Sequence, residues 1–300
     1  MIGAVKIAEL SVTPKTATTS YTRPDTESRI MQNEKSPLNT ILTIVNHIIA
    51  HHPVLAPSVE TICQKIQGKG WSSTLEFEVN TLLSFLGYPP RLAVDVGGNR
   101  GDYTAALRLL NSELEIHVFE PSKTNHTELL QRFKADQNIH IQSLALSDSE
   151  GEATLFSDFS GSGAASLTQR DLSYLGIKFD TKEAVKTSRF ENYWRNELQR
   201  KHIDLIKLDI EGHEISALRG FGEAIGHISV LQFEFGGTCI DTRTFFKDFW
   251  KFFSSSGFDI FRMSEGGPIR IDRYTENCEN FLYANYVAVN RAVKLTSPQS

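Results

Sequence analysis

Two carboxylates and an imidazole stand within five residues in Asp209-Ile-Glu211-Gly-His213, and Glu214 follows at once. A further carboxylate, Glu234, interrupts an apolar run between Phe233 and Phe235 and needs a partner there. Such groups can remove a proton from a poorly acidic hydroxyl. His213 is the natural acceptor because an imidazole titrates near neutrality, and Asp209 the acid that orients the base or holds a ligand. Asp209 and Glu211 would share one face if the strand before them ran on through both. The four side chains could also gather a divalent cation, although their spacing matches no metal signature, and acids at a strand end can simply cap the next helix.

A second constellation supplies a place for a nucleoside. Asp95-Val-Gly97-Gly-Asn99-Arg-Gly101 follows an apolar run, and the next apolar run ends in Phe119-Glu120-Pro121. Strand, glycine turn, helix and acid-terminated strand are how an α/β sheet grips a ribose. Asn99 and Asp102 stand where a dinucleotide fingerprint wants glycines, and a pyrophosphate would meet carboxylates, so an NAD-linked oxidoreductase is disfavoured. A cationic sulfonium with an amino-acid tail suits the same turn: carboxylates face the positive charge and helix N–H groups face the tail carboxylate. The sequence therefore points to S-adenosylmethionine, with Glu120 on the ribose hydroxyls. The expected cofactor set is Asp95, Gly97, Asn99, Gly101, Tyr103, Thr104, Glu120, Pro121, Ser143, Ala145, Leu146 and Asp209, in which Ala145 and Leu146, with Leu144, line the adenine.

These residues need a sheet to hold them. Strands are expected over 92–96, 115–120, 139–146, 153–156, 203–210 and 229–235, with helices over 104–110, 124–135 and 213–220 between them. That alternation is the mark of crossover units and a parallel sheet. Runs over 258–263, 268–271 and 281–289 are separated by turns and should form an antiparallel edge. Ahead of the sheet, Ser36-Pro37 opens one helix that His52-Pro53 stops, a second ends at Gly68, and a third opens on a Ser73-x-x-Glu76 capping box and closes at Gly87. They are expected to form a cap or lid beside the sheet. The resulting organisation is a tail over 1–35, a helical cap over 36–90, an α/β domain over 91–291 and a short tail over 292–300. The aromatic run Phe245, Phe246, Phe249, Trp250, Phe252 and Phe253 has helical spacing and reads mainly as core.

A net charge of −5 argues against a nucleic-acid partner, which usually demands a basic face. Cys63, Cys239 and Cys278 lack metal-type spacing and read as free thiols in a reducing compartment. His47 and His51 lie one helical turn apart without a further ligand and read as surface residues. With no apolar run long enough to span a bilayer, the expectation is a cytoplasmic protein with no transmembrane segment.

The glycine turn, the Phe119-Glu120-Pro121 strand end, Ala145-Leu146-Ser-Asp, Ser160-Gly-Ser-Gly-Ala-Ala-Ser166-Leu167 and above all Asp204-Leu-Ile-Lys207-Leu-Asp209-Ile-Glu211-Gly212-His-Glu214 together resemble the FkbM family of S-adenosylmethionine-dependent methyltransferases, over about residues 72–290. The resemblance implies the class I (Rossmann-like) methyltransferase fold, with a seven-stranded sheet whose last strand is antiparallel. It also implies that the Ser160–Ser166 stretch folds over the cofactor, and that the reaction is O-methylation of a hydroxyl on a sugar or secondary metabolite. Departures are Gly98 where the family often has alanine, and Phe190-Glu191-Asn192 where it commonly has an aliphatic-acidic pair, a segment open to re-use for substrate. The acceptor expected is thus a glycan or small-molecule hydroxyl. The scaffold could also serve an amine or carboxyl group, or persist as a non-catalytic cofactor-binding module.

Overall fold

The computed structural model describes residues 37–70 and 72–292. The expected tail over 1–35, the Ser36 cap and residues 293–300 lie outside the described residues. The chain divides after Val59 into two compact units. In the first, α1 (Pro37–His51) ends just before a 3-10 turn at Pro53–Leu55, and Ile41, Leu42, Ile44 and Ile48 are exposed. The helix α2 (Ala56–Ile66) spans the division and buries none of its side chains.

The third helix of the expected cap, α3 (Leu75–Leu86), lies in the second unit. Its N-cap is Thr74, whose hydroxyl accepts from Phe77 N at 3.2 Å, and not Ser73, whose hydroxyl donates to Glu78 at 2.5 Å. Gly87 closes it in the left-handed conformation that glycine adopts without a Cβ penalty. Val79, Leu82, Phe85 and Leu86 sit one helical face apart and are buried against Val230, Phe261 and Val287 of the sheet.

Among the described residues the main sheet has eight strands. They are β1 (Leu92–Val96), β2 (Glu115–Phe119), β3 (Ile139–Gln142), β7 (Ile203–Leu208), β8 (Ile228–Phe235), β9 (Phe258–Arg262), β10 (Ile269–Arg270) and β11 (Ala284–Asn290), in the order β10-β9-β11-β8-β7-β1-β2-β3. The strands from β3 to β8 are parallel, and β11 is antiparallel to both its neighbours. This is the class I methyltransferase arrangement expected: the last strand, β11, is antiparallel, and with β9 and β10 it makes the antiparallel end of the sheet, where it lies between β8 and β9. The two-residue β10 adds a strand to the expected seven.

The expected strand over 139–146 breaks in two. After β3, the pair β4 (Ala145–Leu146) leaves the main sheet to join β5 (Gly151–Ser157) and β6 (Thr181–Ser188) in a second sheet of order β4-β6-β5. Nothing in Thr-Lys-Glu-Ala-Val-Lys-Thr-Ser marks β6 as a strand, because only Val185 of it is buried.

The helices α4 (Asp102–Leu110) and α5 (Lys123–Arg132) cover one face of the sheet with α3. The other face carries α6 (Phe190–Asn196), α7 (Glu214–Gly220) and, after the short α8 (Thr238–Asp241), α9 (Phe246–Ser255). Burial on both faces explains why β1, β7 and β8 are near-continuous apolar runs. The aromatic run divides as its helical spacing requires: Phe246, Phe249 and Phe253 are fully buried, with Phe249 stacked on Phe233 at 4.9 Å, while Phe245 is half exposed. Phe190 is buried core, and Glu191 binds Arg189, Arg195 and the Glu223 N–H.

Candidate active site

The turn after β1 is built so that three chain segments can meet. Gly97 has φ +84°, and a Cβ on it would lie 1.9 Å from the Asp209 carbonyl oxygen, so only glycine lets β1 and the chain after β7 come together. Gly97 N and Gly98 N both donate to Phe119 O at the end of β2. Asn99 follows at φ +46°, which turns its N–H onto Glu120 Oε2 at 2.8 Å. Ser122 N donates to Glu120 Oε1, also at 2.8 Å, so both carboxylate oxygens are anchored by backbone. Burial pushes the Glu120 carboxyl up to about 7 against the pull of these two N–H groups.

A cleft open to solvent at its mouth lies at the carboxyl ends of these strands. That is where open α/β sheets bind ligands. Of the residues expected there, Gly97, Asn99, Glu120, Pro121, Ala145, Leu146, Asp209, Glu211 and His213 line it. Asp95, Gly101, Tyr103 and Thr104 do not line it but support it. Asp95 is fully buried and accepts from the Thr104 hydroxyl at 2.6 Å. Tyr103 OH donates to Gln232, and a Cβ on Gly101 would strike Phe133 and Leu129 of the α5 region. Ser143 is exposed and outside the lining, whereas its neighbour Leu144 is within it.

The acidic turn departs from its sequence reading. The strand β7 stops at Leu208, and Glu211 takes φ +54°, so alternation does not place Asp209 and Glu211 on one face. The turn is instead held by Glu214, whose Oε1 accepts from Ile210 N and Gly212 N at 3.1 Å each. Asp209 is paired with Lys207 Nζ at 3.0 Å. Burial alone would lower the Lys207 pKa, but Asp209 and then Asp95 outweigh it and raise it, so Lys207 is a fixed cation beneath the turn. Burial and the Asp209 charge push the Glu211 carboxyl up to about 8, with Arg170 opposing them. His213 is hydrogen-bonded to Ser147 Oγ at 3.2 Å, and burial lowers its pKa. Glu234 is absent from the cleft lining. Burial and the charges of Asp209, Glu211 and Glu214 hold its carboxyl well above the carboxylate range.

The family model for the methyltransferase FkbM domain matches residues 95–260, more than half of the chain. The chain belongs to the FkbM family. It is an S-adenosylmethionine-dependent methyltransferase. Among curated proteins the FkbM chain is similar to the 2-O-methyltransferase NoeI of Sinorhizobium fredii, at 24% identity over 163 residues, covering 51% of this chain and 67% of that protein. Solved structures similar to it include a precorrin-6y C5,15-methyltransferase from Geobacter metallireducens (TM-score 0.39, 8% identity, 71% of this chain and 86% of that one). Another is an rRNA methylase from Streptococcus thermophilus (TM-score 0.41, 10% identity, 73% and 97%). At such scores the strand order above, and not these likenesses, carries the fold.

The cleft of the FkbM domain fits the cofactor on its own chemistry. Glu120 offers a ribose two carboxylate oxygens already fixed in place. Asn125, only 2% exposed, lines the cleft with its Oδ1 unpartnered, a buried acceptor of the kind a ligand N–H or O–H completes. Leu144, Ala145, Leu146 and Leu155 give an apolar wall for a purine. Ser162, Gly163, Ala165 and Leu167, in and just after the glycine- and serine-rich stretch, complete the lining. Asn125, Lys207, Glu214 and Arg170 were not legible as site residues. Asn125 bonds Asn99, 26 residues away, and Arg170 meets Glu211, 41 residues away, so sequence spacing did not announce either.

No three ligand atoms of Asp209, Glu211, His213 and Glu234 converge. Among the described residues the group that does bring three within 4.8 Å of one another is Glu115, His117 and His140. It lies at the opposite end of β2, and it is already bonded internally: Lys201 Nζ reaches both Glu115 oxygens at 2.9 and 3.2 Å, and His117 bonds Tyr193 OH through Nδ1 and Glu115 through Nε2. No helix among the described residues is long and apolar enough to cross a membrane.

Proposed function

We propose that the protein methylates a hydroxyl oxygen of a glycan or small molecule, with Glu211 as the proton acceptor. The observation that carries this reading is the placement of Glu211 in the cleft lining with one carboxylate oxygen held by Arg170 at 3.4 Å, where burial and the Asp209 charge raise its pKa into the range useful to a general base. Bound in the cleft, S-adenosylmethionine supplies a sulfonium-borne methyl group open to in-line attack by oxygen. Glu120 holds the ribose and the 144–146 wall the adenine. Asp209, fixed by Lys207, places a stationary negative charge beside the cleft where the cationic donor belongs. His213, bonded to the serine that follows Leu146, serves in this reading as part of the cofactor wall instead of as the base. Residues 162–167 exclude water from the donor.

The 2-O-methylation in the name of the NoeI relative supports a hydroxyl acceptor over an amine or carboxyl. A net charge of −5, with Asp209, Glu211, Glu214 and Glu234 gathered at the turn, disfavours a polyphosphate acceptor such as RNA. The test is a turnover assay with radiolabelled methyl donor against glycan and polyol acceptors, run beside RNA and amine acceptors. Label appearing on RNA or nitrogen alone would reverse the assignment.

A further inference from the structure

The stretch over the cleft is not merely adjacent to the acidic turn but fastened to it. Ser166 Oγ donates to the Glu211 backbone carbonyl at 2.8 Å, and its backbone pairs with Phe156 at the end of β5. Four residues on, Arg170 is 13% exposed and forks between two carboxylates. Its Nε donates to Asp241 Oδ2 at 3.0 Å and its Nη1 to Glu211 Oε2 at 3.4 Å. Asp241 ends α8, the short helix that follows β8 and packs over Gly212, where a Cβ would lie 2.8 Å from Thr238 O. One guanidinium thus joins the covering stretch, the turn that carries Glu211 and the element after β8.

We infer that Arg170 is a positioning residue for methyl transfer: anchored on Asp241, it sets the direction of the Glu211 carboxylate and favours its charged form. The inference rests on Glu211 being the proton acceptor. Its physical basis is the fixed fork. A guanidinium bound to Asp241 cannot rotate freely, so Glu211 Oε2 is held by an anchored cation and its second oxygen is left for the acceptor hydroxyl. The groups facing Glu211 are Asp209, Glu214 and Glu234, which disfavour its charged form, and Lys207 and Arg170, which favour it. Of the two cations Lys207 is committed to Asp209, which leaves Arg170 as the one in direct contact with Glu211. Arg170 follows three residues after Leu167, the last residue of the stretch that lines the cofactor cleft.

The experiment compares wild type, Arg170→Ala, Arg170→Lys and Glu211→Gln in full-length protein, reading kcat against pH, the affinity for S-adenosylhomocysteine by calorimetry, and the melting temperature. Arg170→Ala should move the acid limb of the kcat profile to higher pH by about one pH unit, the shift expected on losing one adjacent cation, which is about a tenfold loss of rate below the limb. Affinity for S-adenosylhomocysteine should stay within a few fold. Arg170→Lys keeps the charge but not the fork, so its limb should lie close to that of the wild type while kcat falls several fold. If Arg170→Ala lowers kcat with no movement of the limb, or Arg170→Lys behaves as Arg170→Ala, Arg170 is only structural and the inference fails. If Glu211→Gln retains wild-type turnover, the assignment of the base has failed instead, and the two failures are separable.

Discussion

Lys207 Nζ lies 3.0 Å from Asp209 Oδ2 and 4.9 Å from the centre of the Tyr103 ring, which places a buried ammonium under the floor of the acidic turn. The pair joins the end of β7 to Asp95 at the end of β1, whose Oδ1 has no hydrogen-bond partner and whose compensation is electrostatic. Two strand ends that both carry acids can lie side by side because a lysine sits between them. Their adjacency forms the cleft.

Lys207→Met should therefore destabilise the fold by about 3 kcal/mol, the scale for stranding a buried charge, as read by urea denaturation. Adding Asp95→Asn should recover part of the loss by removing one of the stranded carboxylates. Recovery of nothing would show that the lysine acts through packing alone.

Glu120 should show both a mutational and a pH signature in cofactor binding. Glu120→Ala removes charge-assisted contacts to the ribose and leaves the Asn99 and Ser122 N–H groups without their acceptor. It should weaken S-adenosylhomocysteine binding by about 1.5 to 3 kcal/mol. Since burial holds this carboxyl near 7, the form that accepts from ribose hydroxyls is lost as pH falls through about 7, and affinity should fall with it. Calorimetry from pH 6 to about pH 8.5 checks both.

The Glu211 carboxyl has its folded pKa raised, so the active carboxylate accumulates as pH rises through about 8. The rate of methyl transfer should climb over that interval and level above it. Glu211→Gln should lower kcat by roughly 100-fold or more while cofactor affinity stays within a few fold. A flat pH–rate profile with an active Glu211→Gln protein would place the base elsewhere, with His213 the next residue to test.

Two glycines in the same left-handed region should respond very differently to alanine. Gly97→Ala drives a methyl to 1.9 Å from the Asp209 backbone oxygen and should abolish cofactor binding and lower the melting temperature sharply. Gly176→Ala meets nothing within 4 Å and should cost only the backbone term, about 1 kcal/mol. Similar melting temperatures for the two would refute a steric role for Gly97.

What the amino-acid sequence determined alone is what depends on local pattern. The strands β1, β7 and β8 are apolar runs buried on both faces, and composition finds them within two residues of their ends. The glycine turn and the acid ending the next strand are set by spacing along the chain, because the crossover that separates them has little freedom of length. Only the tertiary structure decided the rest. It inserted β11 between β8 and β9, since antiparallel pairing there depends on edges that no single segment records. It made a strand of Thr181–Ser188 through its partners, Gly151–Ser157 and Ala145–Leu146, because an exposed, polar strand lacks the period that would announce it. It also ended β7 before Asp209, turned Glu211 into the left-handed region and brought Arg170 onto it. Those events are fixed by contacts such as Ser166 to Glu211, 45 residues apart, whose free energy exists only after the chain has closed on itself.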